Sequence, residues 1–178
     1  MAKKKERGGA AATPAIAALR TAGVEHTVHT YEASGTDFGD EAARVMGERL
    51  GIEPGRIVKT LVLATDRPPA GSRLALAVAV LPVTHSLDLK SAAAALGCSK
   101  ATLAPVELAE KTTGYVVGGV SPLGQKRPLS TVVDSSALDA PTVFCSAGRR
   151  GWEIELAGSD LVALTHATVA TVTAGGVH

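Results

Sequence analysis

The most constraining feature of the sequence is a pair of strongly aliphatic segments separated by a turn. The first, Arg56–Thr65, has the sequence RIVKTLVLAT, and the second, Arg73–Leu81, has the sequence RLALAVAVL. Their length and apolar character are typical of buried strands. Between them, residues 66–72 contain two adjacent prolines and a glycine, which do not fit inside a sheet ladder. The pattern therefore predicts a β-hairpin with a long loop.

Helices and further strands are expected on both sides of this hairpin. The capping residues indicate five helices. The first begins at Pro14, after Thr13, and ends at Gly23, and the second runs from Asp40 to Gly51. The others occupy Leu89–Leu96 after Asp88, run from Pro105 to near Thr112, and begin at Ser159 or Asp160. The expected strands are His26–Tyr31, Thr131–Asp134, Thr142–Ser146, Trp152–Leu156 and Ala167–Thr173. Their irregular order predicts a mixed α/β fold. We expect one folded domain over residues 13–173, preceded by a flexible basic tail over residues 1–12.

Charge and composition exclude several functional classes. The chain has 18 Lys and Arg against 17 Asp and Glu, and most of the early charge lies in KKKER near the start, so the remainder is slightly acidic. A globally basic nucleic-acid binder is therefore excluded, and any polyanion site must be local. Two cysteines make no disulfide framework or zinc ligand set, and the five histidines do not cluster, so we expect neither metal nor cofactor. The absence of a long apolar run predicts a cytoplasmic protein without a membrane segment.

Lys59 is the most informative single residue. It interrupts the aliphatic strand and shares a face with Ile57, Leu61 and Leu63. Such a lysine either extends from an edge into solvent or points its ammonium into a polar cavity. Thr60 lies on the other face, where a structural role is expected.

Two glycine-rich loops are the other candidates for chemistry. Residues 114–124, GYVVGGVSPLG, fit neither a dinucleotide fingerprint nor a P-loop. The adjacent Gly118 and Gly119 form either a tight turn or a site where backbone N–H groups approach a ligand. Residues 146–152, SAGRRGW, follow the same theme. The cations beside the two loops are either solvated or form a rim that faces phosphate groups: Lys126, Arg127, Arg149 and Arg150.

Protein nucleophiles are poorly represented. The sequence has no G-x-S-x-G elbow and no histidine–cysteine pair at useful spacing. Cys145 lies in a predicted strand and is expected to be a small core residue. If the chain is an enzyme, its site uses backbone donors and a lysine.

Several segments together resemble one known family. T-P-A-I-x-x-L, H-T-Y, F-G-D-E-A-A, K-T-L-V, T-G-Y-V-V-G-G-V-S-P-L-G-Q-K and S-A-G-R-R-G closely resemble the YbaK family over about residues 13–164. That family comprises aminoacyl-tRNA deacylases related to the editing domain of bacterial prolyl-tRNA synthetase. The resemblance implies a compact α/β domain with a curved mixed β-sheet flanked by helices. It also implies removal of cysteine from mischarged tRNA(Pro), an error that a binding pocket alone rejects poorly because cysteine and proline are similar in size.

The resemblance also assigns residues to roles. Lys59 matches the family's essential lysine, and Gly118 matches the glycine whose backbone faces the reacting carbonyl. The positions that match the substrate pocket are Tyr31, Phe38, Gly119, Ser121 and Ser146, and Glu153 falls where relatives carry an acidic residue. In the implied chemistry the substrate's own thiol attacks its ester and leaves as a thiolactone, so no enzyme nucleophile is required.

Three functional hypotheses follow. The first is a trans-acting editor of Cys-tRNA(Pro), with Lys126, Arg127, Arg149 and Arg150 on tRNA phosphates and prolyl-tRNA synthetase as a partner that supplies tRNA selectivity. The second is a deacylase for another small amino acid such as alanine, which has no thiol and requires an attacking water. The third is a non-catalytic module that binds tRNA or a synthetase.

Overall fold

The computed structural model describes residues 12–175, so residues 1–11 of the predicted tail lie outside the described part of the chain. Within those residues the helices are α1 (Pro14–Ala22), α2 (Phe38–Leu50), α3 (Leu89–Ala95), α4 (Val106–Thr113) and α5 (Gly158–Thr165). The strands are β1 (His26–Thr30), β2 (Val58–Thr65), β3 (Leu76–Pro82), β4 (Ala101–Leu103), β5 (Ser130–Asp134), β6 (Thr142–Arg149), β7 (Trp152–Ala157) and β8 (Thr168–Ala170).

The strands form two sheets, and the predicted α/β class with helices around mixed sheet is confirmed. The larger sheet has the order β4-β2-β3-β5-β8, with β4, β2 and β3 antiparallel and β3, β5 and β8 parallel. The smaller sheet, β1-β7-β6, is antiparallel. The sheets meet just before β2, where Ile57 forms a parallel bridge with Phe144 of β6. This junction brings the start of β2 close to the smaller sheet.

The hairpin is confirmed, with β2 and β3 paired from Val58↔Pro82 to Ala64↔Leu76. Every residue of β3 is buried, because it is the central strand of the larger sheet. Alternate residues of β2 face two different apolar clusters. Val58 and Val62 pack in the main core with α1 and the smaller sheet, whereas Leu61 and Leu63 pack against α3. The core is built largely from Ala, Val and Leu, as the low aromatic content requires.

Local capping signals placed several helix ends correctly. The Thr13 hydroxyl accepts from the Ile16 N–H, and the Asp88 carboxylate accepts from the Lys90 and Ser91 N–H groups. Gly23 and Gly51 end their helices in the left-handed conformation.

Other boundaries were wrong. Helix α2 begins at Phe38 rather than Asp40, and α5 begins at Gly158 rather than at Ser159 or Asp160. Strand β8 covers only Thr168–Ala170 of the predicted final strand. Strand β4 was not predicted, because a three-residue strand is defined by its partner β2 rather than by its own sequence.

Candidate active site

A cavity of about 440 Å³ lies where the two sheets meet. Its walls come from the start of α2, the first half of β2, the segment from β4 into α4, the loop before Ser121, and the smaller sheet. Its mouth carries apolar side chains that remain exposed to solvent: Leu103, Val106 and Val117. The cavity therefore has an apolar rim around a deeper part that contains polar groups.

The cavity exists because β2 lacks a neighbouring strand along part of one edge. Strand β4 pairs only with Leu63–Thr65, and the Val62 carbonyl accepts from the Ala104 N–H at 2.9 Å. Backbone groups of alternate residues point to the same edge of a strand, so those of Thr60 point to the open edge. The Thr60 hydroxyl is buried, lines the cavity and has no hydrogen-bond partner among residues 12–175. Thr60 was predicted to be structural, and its side chain is instead part of the cavity wall.

Lys59 lines the cavity beside Thr60. Burial lowers the pKa of its ammonium group, and the carboxyl groups of Asp40 and Asp37 act in the opposite direction. In the part of the chain that the structure describes, no carboxylate lies within the 4.0 Å of a salt bridge to this lysine. Lys59 therefore presents a positive charge to the cavity without a direct ion-pair partner among residues 12–175.

The first turn of α2 brings two carboxyl groups near this lysine. A hydrogen bond between the Asp37 and Asp40 side chains raises the pKa of Asp40, since it favours the protonated form of one of them. The preceding loop is held by Glu41, which accepts from the Ser34 N–H and hydroxyl at 2.9 Å each. Sequence reasoning used Asp40 only as a helix start and missed Asp37, because the proximity of both to Lys59 depends on how α2 packs.

Phe38 and Gly118 are in direct contact at the cavity wall. Gly118 has a φ of 89°, and a Cβ at this position would lie 2.6 Å from the Phe38 ring. Any other residue would therefore combine a strained backbone with a collision. Both residues line the cavity.

Glu153 is the most deeply buried carboxyl group in the cavity wall. It faces Ser146 across the β6–β7 pairing, and both residues line the cavity. Its Oε2 atom has no hydrogen-bond partner among the described residues, and burial raises the pKa of the carboxyl group to about 8. Below that pH the side chain is a neutral acid that presents an unused polar atom to a ligand.

Tyr31 lies near Glu153 at the end of β1 but is not part of the cavity lining. Burial, with a smaller effect from the carboxyl groups of Glu153 and Glu41, raises the pKa of the phenol to about 12. The phenol is therefore neutral at physiological pH.

The predicted basic residues occupy two places. Arg149 is the last residue of β6 and is stacked on Trp152, and Arg150 follows it in the turn to β7 and is stacked on the cavity residue Phe38. Lys126 and Arg127 line a separate open groove together with Arg73. The four cations therefore do not form one rim.

Two other expected site residues lie outside the cavity lining. The buried Ser121 hydroxyl accepts from the Leu123 N–H, and its carbonyl accepts from the Gln125 side chain. Gly119 packs against the backbone of Arg149 and Arg150, where a Cβ would approach within 3.1–3.2 Å. Both residues shape the loop that carries Gly118.

Among residues 12–175 there is neither an exposed cysteine nor a cluster of potential metal ligands. Cys98 and Cys145 are both buried, and burial raises the pKa of the Cys145 thiol further from physiological pH. Residues 12–175 contain no group of three or more His, Cys, Asp or Glu side chains arranged to hold a metal ion. No helix in this range has the length and apolar character needed to cross a membrane.

Comparison with known proteins defines the class. Residues 40–164 match the model of the aminoacyl-tRNA editing domain, and the chain belongs to that family. Its members remove amino acids from wrongly charged tRNA, so this protein is an aminoacyl-tRNA deacylase.

Individual relatives agree with this class. A protein of Enterococcus faecalis assigned as the Cys-tRNA(Pro)/Cys-tRNA(Cys) deacylase EbsC is 39% identical over 132 residues, covering 74% of this chain and 77% of its own. A crystal structure of a protein assigned as a trans-editing enzyme for prolyl-tRNA synthetase has a TM-score of 0.74 at 25% identity, covering 95% of this chain and all of the other. The crystal structure of the hypothetical protein APE2540 has a TM-score of 0.76 at 26% identity, covering 91% of this chain and all of the other.

Proposed function

We propose that this protein removes cysteine from mischarged tRNA(Pro), and that the thiol of the substrate is the nucleophile. The observation that carries the proposal is the content of the cavity: a cation, a glycine backbone and a buried carboxyl group, while both cysteines of the chain are buried away from it. A site of this kind orients a substrate and stabilises charge. It is suited to an ester that already contains its own nucleophile.

In the proposed reaction the cysteinyl sulfur attacks the ester carbonyl carbon. The new S–C bond closes a thiolactone, the C–O bond to the terminal ribose breaks, and the thiol proton is transferred to the departing ribose oxygen. Negative charge develops on the carbonyl oxygen during the attack, so a fixed donor at that position accelerates the step. The N–H of Gly118 is assigned this role, and the ammonium of Lys59 is assigned to the terminal nucleotide and the ester.

The remaining side chains are assigned to the aminoacyl group. Phe38 supplies an apolar wall, and Ser146 and Glu153 supply polar contacts from the smaller sheet. Tyr31 lies near Glu153 behind the lining and is assigned to the same side of the aminoacyl site. Holding the ester and the thiol in one orientation lowers the entropic part of the activation barrier and supplies much of the rate acceleration.

Recognition of the tRNA is proposed to combine a few phosphate contacts with a partner protein. Lys126, Arg127 and Arg149 are exposed cations suited to phosphate groups. A chain of this size offers little surface for reading a tRNA sequence, so prolyl-tRNA synthetase is the proposed source of selectivity. Since charged tRNA is made and used in the cytoplasm, we expect the protein to act there.

Deacylation of Cys-tRNA(Pro), Cys-tRNA(Cys) and Ala-tRNA(Pro) by the purified protein tests this proposal. We expect rapid release of cysteine, slow release of alanine, and a loss of at least 100-fold in kcat/KM for Lys59→Ala. Lys90→Ala is the matched control, because Lys90 is an exposed lysine on α3 that is not part of the cavity lining. It is expected to retain wild-type activity.

The outcomes separate the hypotheses. Equal release of cysteine and alanine would refute thiol assistance and favour attack by water in the same cavity. Binding of tRNA without release of any amino acid would refute an enzymatic role on these substrates. Equal rates on Cys-tRNA(Pro) and Cys-tRNA(Cys) would show that the isolated chain reads the amino acid, and addition of prolyl-tRNA synthetase would then test the source of tRNA selectivity.

A further inference from the structure

The side chain of Arg150 is directed at a single backbone carbonyl. Its Nε and Nη2 atoms donate to the Val117 carbonyl oxygen at 3.0 and 2.8 Å, and its guanidinium carbon lies 4.6 Å from the centroid of the Phe38 ring. The guanidinium is a planar, rigid fork, so two donors on one acceptor together with stacking on a ring hold it in one orientation. Arg150 is therefore engaged with the cavity wall, although it lies on the surface.

The Val117 carbonyl and the Gly118 N–H belong to the same peptide unit. That unit is planar, and no cis peptide bond occurs in the described residues, so the two groups point in opposite directions. A clamp on the carbonyl thus fixes the direction of the N–H, which points to the side of the loop away from the guanidinium. Gly118 itself lines the cavity.

Within the described part of the chain, the backbone N–H groups on either side are hydrogen-bonded and the Gly118 N–H is not. The Val117 N–H donates to Glu110 Oε1 and the Gly119 N–H donates to the Val116 carbonyl, both at 2.9 Å. Among the hydrogen bonds of residues 12–175, none uses the Gly118 N–H as a donor. An ordered loop with one unused donor at a cavity is the arrangement expected for a site that stabilises an oxyanion.

We propose that Arg150 is a positioning residue: through the Val117–Gly118 peptide it fixes and polarises the N–H that stabilises the reacting carbonyl oxygen. This inference rests on the function proposed above and names a residue that acts through another. A charge-assisted bond to the carbonyl withdraws electron density across the peptide and makes its N–H a better donor. The role differs from the phosphate contact expected for Arg150 from the sequence.

Arg149 provides the matched control. It is the preceding residue, is also exposed, carries the same charge and also stacks on an aromatic ring, Trp152, at 5.0 Å. In the described residues, however, its side chain makes no hydrogen bond to the Gly118 loop. The variants Arg150→Met and Arg149→Met therefore remove the same charge and keep a similar apolar side chain. Only Arg150→Met removes the hydrogen bonds to the Val117 carbonyl.

The test measures kcat, KM and the salt dependence of KM for Cys-tRNA deacylation. For Arg150→Met we expect kcat to fall by about 10- to 100-fold, up to the effect of losing one oxyanion donor, with KM changed less than threefold. Arg150→Lys, which retains a donor but not the fork, should recover part of kcat. For Arg149→Met we expect kcat to be kept and any change to appear in KM and its salt dependence.

A measurement without substrate separates this inference from the proposed function. The ¹⁵N order parameter of the Gly118 amide should fall from a value near 0.85 toward 0.6 in Arg150→Met and stay unchanged in Arg149→Met. If wild type releases no amino acid, the proposed function fails and the order parameter still decides whether Arg150 holds the loop. If both variants raise KM equally and flatten its salt dependence with kcat and the Gly118 amide unchanged, Arg150 is a phosphate contact and the inference is overturned.

Discussion

Replacement of Glu153 by glutamine should make the protein more stable at neutral pH. The side chain is 8% exposed, its Oε2 atom is unpartnered within residues 12–175, and burial raises the pKa of the carboxyl group from 4.5 to about 8. Between these two values the unfolded chain holds an ionised carboxylate, whereas the folded chain holds a protonated one. Folding must therefore take up a proton, and its free energy becomes less favourable as the pH rises.

The magnitude follows from the two pKa values. Each pH unit above 4.5 costs about 1.4 kcal/mol of stability, up to the folded pKa near 8. At pH 7 the accumulated cost is about 3 kcal/mol, and at pH 4.5 and below it is absent. Glutamine has nearly the same shape as the protonated acid and does not ionise, so Glu153→Gln should remove this cost while the cavity wall keeps its shape.

Urea unfolding of wild type and Glu153→Gln from pH 4.5 to 8.5 measures this effect. We expect the two free energies of unfolding to be similar at pH 4.5 and the variant to gain up to about 3 kcal/mol by pH 7. Parallel pH profiles would refute the reasoning, because they would show that Glu153 has an ordinary pKa in the folded state. Cys-tRNA deacylation by the variant should fall, since a buried group of this kind is kept for function at the expense of stability.

Glu155 on the same strand is the control. Burial opposes its ionisation, but hydrogen bonds from Thr142 and His29 lower the pKa of this carboxyl group overall. A lowered pKa contributes stability above about pH 4.5 that is lost as the pH falls. Glu155→Gln should therefore lose stability at neutral pH, in the direction opposite to Glu153→Gln.

Two further predictions concern the loop and the groove. Gly118→Ala places a Cβ 2.6 Å from the Phe38 ring at a φ of 89°. We therefore expect kcat, measured by single-turnover kinetics, to fall by 100-fold or more. The free energy of unfolding, measured in urea, should fall by about 1–2 kcal/mol. Unchanged activity would exclude the Gly118 backbone from the reaction. The double variant Lys126→Ala/Arg127→Ala should lower the slope of log KM against log salt concentration by about 1 to 2, and an unchanged slope would exclude the open groove from tRNA binding.

The fold was predictable where local chemistry determines it. Caps such as Thr13 and Asp88 act on N–H groups two or three residues away, so their effect is visible in the sequence. The hairpin was predictable because two buried strands flank a segment that cannot pair. The short strand β4 and the division into two sheets were not, since each depends on pairing between segments distant in the chain.

The candidate site was predictable in part for the same reason. Lys59 could be identified from the sequence because a charged residue inside an aliphatic strand indicates either an edge position or a polar cavity. Gly118 could be identified because adjacent glycines allow the backbone to approach a ligand closely. Ser146 was visible as the first residue of the second glycine-rich loop, and Glu153 was found only through the family resemblance. The proximity of Asp37 to Lys59 and the exposure of Thr60 to the cavity had no local signal, because both follow from the packing of α2 and the open edge of β2.

The open edge of β2 also explains why the site needs so few reactive groups. Where β4 stops pairing, the fold leaves a gap between the two sheets, and Gly39 and Gly118 contribute only backbone to its lining. If the substrate supplies the nucleophile, the protein must supply only orientation and a donor aimed at the developing charge. A peptide held by Arg150 on one side and free on the other meets that requirement without a titratable group. Under the proposed mechanism such a site would also discriminate chemically, since an amino acid without a thiol could occupy the gap and would lack the nucleophile.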